Sequence, residues 1–210
     1  MNSQQTVAAR LLQVGAVKLN PTNPFTWASG WKSPIYCDNR KVLSFPYDRD
    51  FIKSELCSVI FESFPDIDGI AGVATAGISW GVMAADQLKL PFIYVRPKPK
   101  EHGLGNQLEG EMPSGSRVLV VEDLISTGKS SLQVCDVLRG EGIEPVGMVS
   151  IFTYEFTQAA EAFDKAGIPL VSLTNYTALL ELSLKQGKIN EEQRTVLAEW
   201  RKDPANWTGM

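Results

Sequence analysis

The sequence predicts an α/β protein: a central, mostly parallel sheet flanked by helices, with a small accessory layer made from its two ends. Three observations carry that prediction. Short apolar runs alternate with segments of helical periodicity from 48 to 173. One run, RVLVVED at 117–123, is apolar without alternation, as a parallel strand covered on both faces requires. The ends, by contrast, lack this alternation. With 210 residues, 44% of them hydrophobic, the chain can fill the core of one domain. Residues 46–175 are expected to form the α/β core, and 1–45 with 176–210 the accessory layer.

Near the N-terminus VAARLLQVG reads as a short helix, and FTWASGWKSPIYCDNRKVL as extended chain. From Asp48 to Phe64 the residues Phe51, Ile52, Leu56, Val59, Ile60 and Phe64 recur at helical spacing, and Pro65 ends the helix. GIAGVA at 69–74 is a short buried strand, Gly77 to Leu88 a helix, and FIYV at 92–95 the next strand. Residues 96–112 show no period and exceed the ~12–15 residues usual for a structureless connection, so they read as a binding loop or lid. After the strand at 117–123, a helix from about Gly128 to Arg139 carries Leu132, Cys135 and Leu138 on one face. VGMVSIF at 146–152 is a strand, 157–166 a helix, and PLVSL a further strand. Residues 176–201 are helical again, interrupted near Gly187, with Asn190 as an N-cap. Strands alternating with helices predict right-handed crossovers, and such sheets bind ligands beyond the carboxyl ends of their strands. Chemistry is therefore sought after Ala74, Val95 and Val121.

Composition excludes several classes. A formal net charge of −4 argues against a protein dedicated to nucleic acid. No apolar run approaches the ~18 residues of a membrane span. The N-terminus lacks the charged start, apolar block and cleavage site of a secretory signal, so a cytoplasmic protein is expected. Cys37, Cys57 and Cys135 show no metal-ligand spacing and read as free thiols in a reducing compartment. With His102 as the only histidine, a histidine-rich zinc site is not expected.

The most informative stretch is VLVVEDLISTGKSS at 118–131: strand, hydroxyl-rich turn, helix start. Its TGKS ending suggests a nucleotide P-loop, but Asp123 stands where that pattern needs its first glycine. What remains is a cradle for one phosphate, formed by Ser126, Thr127, Gly128, Ser130 and the N–H groups of the following helix. Glu122 and Asp123 would repel that phosphate, so they must address another part of the ligand. Ionised carboxylates are pure acceptors and suit vicinal hydroxyls. A phosphate beside a diol describes a ribose 5-phosphate.

This stretch resembles the phosphoribosyl pyrophosphate (PRPP) motif of type I phosphoribosyltransferases, which implies that fold and adds Leu124, Ile125 and Lys129 to the expected PRPP-binding residues. FTWASGWKSPIYCDNR at 25–40 is similar to the N-terminal signature of the orotate phosphoribosyltransferases. GVATAGIS at 72–79 resembles that family's pyrophosphate turn, bringing in Thr75 and Ala76, and RPKPKEHG with the later LEG resembles its flexible catalytic loop. Ala28 and Ala76 stand where many members carry lysine, Pro97 follows Arg96 where a second basic residue is common, and FTYEF replaces an arginine found in some members near 153.

The resemblance implies transfer of a phosphoribosyl group from PRPP to orotate, with Arg96, Lys100, His102 and Asp123 as the catalytic residues. Lys98 would support the other loop cations in binding PRPP, His102 would act as a proton donor to pyrophosphate, and Glu122 and Asp123 would hold the ribose. It implies Mg2+ as cofactor, held mainly by the substrate with no direct protein ligand, and a homodimer whose catalytic loop crosses the interface. Neither nucleic acid nor membrane is an expected partner. Ser126, Tyr36 and Phe25 are expected at the orotate ring, with ordinary core packing an open alternative for Phe25 and Tyr36. Trp27 and Trp31 are either core residues or anchors of the accessory layer. The competing readings are another nucleobase phosphoribosyltransferase and a non-catalytic regulator that binds PRPP.

Overall fold

The structure is a computed structural model that describes residues 2–27, 29–98 and 107–208. It opens with helix α1 (Ser3–Gln13), capped where the Asn2 side chain accepts a hydrogen bond from the Gln5 N–H. Four short strands follow: β1 (Val17–Leu19), β2 (Phe25–Thr26), β3 (Lys32–Ser33) and β4 (Ile35–Cys37). β1 pairs antiparallel with β4, and β2 with β3, so the extended N-terminal segment folds into two small ribbons. A 3₁₀ segment at Asn39–Ser44 leads into α2 (Pro46–Ser63), whose first turn carries the proline that helix starts tolerate.

The core then runs β5 (Gly69–Val73), α3 (Ala76–Leu88), β6 (Phe92–Val95), β7 (Leu108–Glu109), β8 (Arg117–Ile125), α4 (Lys129–Gly140), β9 (Glu144–Thr153), α5 (Thr157–Ala166) and β10 (Leu170–Asn175). The sheet has the order β10-β9-β8-β5-β6-β7, parallel throughout except that β6 and β7 are antiparallel. Val118 to Val121 are all fully buried, as their unbroken apolar run predicts. The strand continues past the expected end at 123, because Leu124 and Ile125 pair with Phe152 and Thr153 of β9.

The stretch 96–112 differs from the expected structureless loop. Tyr94 pairs with Glu109 and Val95 with Leu108, so the chain returns along the outer edge of β6 before entering β8. The physical reason is local. β6 would otherwise present an unpaired edge, and Leu108 gains contact with the hydrophobic core by covering it.

Close approach in the layers depends on one glycine in particular. A Cβ on Gly77 would lie 2.4 Å from the Val121 carbonyl oxygen, so α3 rests its first turn directly on β8. The chain steps from β5 to β6 on one side and from β8 to β9 and β10 on the other. Right-handed crossovers then put α3 and α4 on opposite faces.

After β10 come α6 (Tyr176–Lys185) and α7 (Glu191–Lys202), separated where Gly187 takes a positive φ of 67°. Asn190 caps α7 as expected, in a reciprocal box with Gln193. The ends are joined to the core by an aromatic cluster. Trp200 of α7 is fully buried, with its ring 5.7 Å from Trp27, 5.7 Å from Tyr154, 5.4 Å from Phe156 and 5.6 Å from Tyr176. Its indole N–H donates to the Lys32 carbonyl at 3.1 Å, tying the C-terminal helix to the N-terminal ribbon. Cys37, Cys57 and Cys135 are buried free thiols, each with its pKa pushed up chiefly by burial, that of Cys135 to about 11. Among the described residues no helix is long and apolar enough to cross a membrane.

Candidate active site

Strand order reverses between β5 and β8, and ligands in open α/β sheets bind beyond the carboxyl ends of strands at such a point. Two adjoining clefts open there. The first, of about 360 Å³, is bordered by 73–76 from the β5–α3 turn, by Glu122, Asp123 and Leu124 at the end of β8, and by Cys37, Asp38 and Arg40. The second, of about 330 Å³, is bordered by Trp27, Tyr36, Ser126 and Tyr154 and shares Cys37 and Leu124 with the first. A larger groove of about 600 Å³ lies between α2 and α3, away from the strand ends and without the acidic pair or the hydroxyl-rich turn. Volume alone does not select the site; the chemistry of the lining does.

The acidic pair occupies the last turns of β8, where a parallel strand emerges from between its neighbours. Glu122 is buried, and its carboxylate accepts from the Asp123 N–H at 2.9 Å and from the Ser131 hydroxyl at 3.1 Å. Asp123 is less buried, and its backbone carbonyl accepts from the fully buried Asn39 side chain at 2.7 Å. Both carboxyls border the first cleft, but Glu122 also braces the turn from inside, and Asp123 is the more exposed of the two. Burial, and then the charge of Asp123, raises the Glu122 pKa well above the usual carboxylate range. Asp123 is raised too, mainly by burial, while Glu122's hydrogen bond and the Arg40 charge pull the other way.

These shifts fix a pH dependence. A carboxyl that titrates higher in the folded state than in the unfolded chain binds more protons when folded. The stability it contributes is then fullest below the ordinary value, ~4.3 for glutamate, and falls as pH rises through the raised value. Glu122→Gln keeps an acceptor for the Asp123 N–H while removing the buried charge. The difference in melting temperature, variant minus wild type, is expected to grow more positive from pH 4 to pH 8. A difference that does not move with pH would refute the upward shift of the Glu122 carboxyl.

The hydroxyl-rich turn follows. Gly128 takes φ +76°, and a Cβ there would meet the Phe163 ring at 2.7 Å, so backbone conformation and packing both require glycine. Gly128 is the N-cap of α4 and brings no side chain to its first N–H groups, which leaves the helix start suited to an anion. Ser126 borders the second cleft and Ser130 the first, while Thr127 is half-buried and Lys129 exposed. Ile125 is fully buried, so only its backbone can serve a ligand. On the opposite side Thr75 is exposed and Ala76 begins α3, again without a side-chain cap.

Tyr36 borders the second cleft, whereas Phe25 is absent from its lining and instead packs on Tyr36 with ring centroids 5.7 Å apart. Trp27 packs partly buried against the core and joins the cluster around Trp200, so it serves both of its open alternatives, and it also walls the second cleft. Trp31 stacks on Trp27 at 6.3 Å. Arg96 adjoins the first cleft through a crevice shared with Ala74 and Ser130, and its guanidinium lies 3.6 Å from the Glu109 carboxylate. Its backbone N–H donates to the Gln107 carbonyl at 2.8 Å, closing the base of the loop. Lys98 is exposed beyond it. Lys100, His102 and Ala28 lie outside the described residues.

Four residues of the 25–40 stretch carry no site role in the sequence reading yet border or brace the first cleft: Cys37, Asp38, Asn39 and Arg40. Asn39 donates to Asp123, and Asp38 accepts from the Arg40 Nε at 2.7 Å beside the same cleft. The available signal was the polar run DNR directly after the extended SPIYC, since three polar residues at a strand end border whatever that end faces. Ser131 was missed in favour of Ser130, because helix phase decides which of the two points back at Glu122.

Comparison with known proteins shows likeness along nearly the whole chain. The phosphoribosyl transferase domain family matches residues 54–178. An orotate phosphoribosyltransferase of Bacteroides thetaiotaomicron is 55% identical over 98% of this chain and 97% of its own length. The crystal structure of orotate phosphoribosyltransferase from Aeropyrum pernix superposes with a TM-score of 0.76 at 32% identity, covering 88% of this chain and 99% of that one. Leishmania donovani UMP synthase gives a TM-score of 0.80 at 25% identity, covering 95% of this chain but 42% of that longer one.

Proposed function

The chain belongs to the orotate phosphoribosyltransferase family, and from that premise we propose that it transfers the 5-phosphoribosyl group of PRPP to orotate, giving orotidine 5′-monophosphate and pyrophosphate in pyrimidine biosynthesis. The observation that carries the reading is the junction of two clefts at the strand switch. One is acidic and faces the turn at 73–76; the other is aromatic and shares Leu124 with it. A sugar spanning that junction has its hydroxyls at Asp123, its 5-phosphate at the α4 turn, and its C1 between the pyrophosphate and base sides.

In this reading the C1–oxygen bond to pyrophosphate breaks ahead of full attack by the pyrimidine nitrogen. The electron pair leaves with the pyrophosphate oxygen, and the sugar becomes cationic. Asp123 favours that cation, with Glu122 bracing it. The charges of Arg96, Lys98, Lys100 and His102 would offset the one growing on the departing pyrophosphate, since fixed charges act most strongly once water is excluded. Thr75 and Ala76 offer backbone N–H groups to the same anion, and Ser126 with Tyr36 meets the base, Phe25 supporting the Tyr36 ring. Leu124, Ile125, Thr127, Gly128, Lys129 and Ser130 complete the PRPP site.

Mg2+ suits this cleft: it prefers phosphate oxygens and water, and the acidic lining (Asp38, Glu122, Asp123) tolerates a divalent ion arriving with the substrate. When bound, it would offset charge on the pyrophosphate. The same reading takes the whole chain as one domain, working as a cytoplasmic homodimer that shares its loop across the interface.

A base panel tests the proposal: protein, Mg2+ and PRPP with orotate, uracil, hypoxanthine or adenine. Orotate alone is expected to give nucleotide and pyrophosphate. Product from a purine but not from orotate would overturn the substrate assignment, and no product from any base would favour a regulator.

A further inference from the structure

Charge in the first cleft is unbalanced. Among the described residues its lining carries three carboxylates, Asp38, Glu122 and Asp123, and a single cation, Arg40. The facing turn, Val73 to Ala76, supplies no charged side chain. A dianionic or more highly charged group entering such a cleft gains from a positive partner on its walls, and among the described lining residues Arg40 is the one that supplies it beside the loop cations. We propose that Arg40 is a substrate-binding residue whose guanidinium receives the pyrophosphate of PRPP, with Asp38 as its positioning residue. This rests on the reading just given and extends it to a residue outside the PRPP motif.

The geometry supports the assignment in three ways. Asp38 holds the Arg40 Nε at 2.7 Å, which fixes one edge of the planar group and leaves its two terminal nitrogens for another acceptor. A guanidinium so oriented matches the paired oxygens of a phosphate. Second, the pair is unequal in exposure: the Asp38 side chain is 16% exposed and that of Arg40 61%. An ion pair with one member this exposed, two residues apart in sequence, contributes little to folding, so stability does not explain it. Third, Arg40 borders the cleft that holds the 73–76 turn and not the one that holds Ser126 and Tyr36. That separates it from the base and sets it in the cleft bordered by the 73–76 turn, the turn read above as the pyrophosphate side.

The test compares two ligands by calorimetric titration of wild type, Arg40→Ala and Arg40→Lys. Inorganic pyrophosphate with Mg2+ carries the group in question; orotidine 5′-monophosphate carries base, ribose and 5-phosphate without it. Arg40→Ala is expected to weaken pyrophosphate by roughly tenfold or more, the scale of a lost charged hydrogen bond. Its effect on the nucleotide is expected to stay within about twofold, since no contact to it is lost. Arg40→Lys should fall between, keeping charge without the planar fork. Equal weakening of both ligands, or an unchanged pyrophosphate affinity, would overturn the proposal, as would wild type failing to bind pyrophosphate. Should Arg40→Ala fold poorly, Arg40→Lys against wild type decides by the same ratio. The proposal and the reaction fail separately. Wild type that converts orotate while pyrophosphate binding ignores Arg40 drops only the proposal. Pyrophosphate binding that depends on Arg40 without orotate turnover drops only the reaction.

Discussion

Asp123→Asn is expected to lower kcat on the order of 100-fold, the largest effect on activity of any single substitution among the described residues. The change is nearly isosteric, and the turn around it is held by groups it leaves in place. The Asp123 N–H donates to Glu122, and the Asp123 carbonyl accepts from Asn39. What disappears is the negative charge beside a sugar that becomes cationic in the transition state. Because that charge matters more in the transition state than in the ground state, kcat should fall further than the affinity for PRPP. Melting temperature at neutral pH should hold or rise, since the repulsion with Glu122 is relieved. Steady-state kinetics beside a thermal melt decide it. A kcat within about threefold of wild type would remove Asp123 from the catalytic residues.

Trp200→Ala is expected to destabilise the fold by about 3–5 kcal/mol, the range for truncating a large buried aromatic. For a chain of this size that lowers Tm on the order of 10 °C. The residue is fully buried, touches four other aromatic rings and bonds the Lys32 carbonyl, so its loss leaves both a cavity and an unmatched acceptor. Trp27 and Tyr154 belong to the same cluster and also wall the second cleft. Below the melting temperature the variant should therefore lose affinity for the pyrimidine more than for PRPP. Trp200→Phe, which keeps a ring but not the indole N–H, should fall between. An unchanged Tm for Trp200→Ala would show that the ends are not held through this cluster.

How much was legible in the sequence depended on whether neighbours in the chain were also neighbours in space. The run Val118 to Val121 announced a covered strand, and Glu122 through Ser130 announced a turn at its end, because strand, turn and helix start are contiguous. Asn190 was readable as a cap for the same reason: its partner, Gln193, is one turn away. By contrast, β7 was invisible, since Leu108 and Glu109 become a strand only by covering the exposed edge of β6. Residue by residue, Ser130 and Ser131 could not be told apart until the phase of α4 was known.

The sequence by itself determined the alternation of strands and helices in the core apart from β7, the acidic pair, the hydroxyl-rich turn and the family, all carried by local periodicity and short motifs. Only the tertiary structure decided what lies across from them. Asn39 reaches Asp123 over 84 positions, Trp200 reaches Lys32 over 168, and Arg40 joins the acidic cleft. The physical reason is that backbone hydrogen bonds and apolar spacing act over a few residues and leave a pattern. A contact between distant segments is set by how whole layers pack, and packing leaves none.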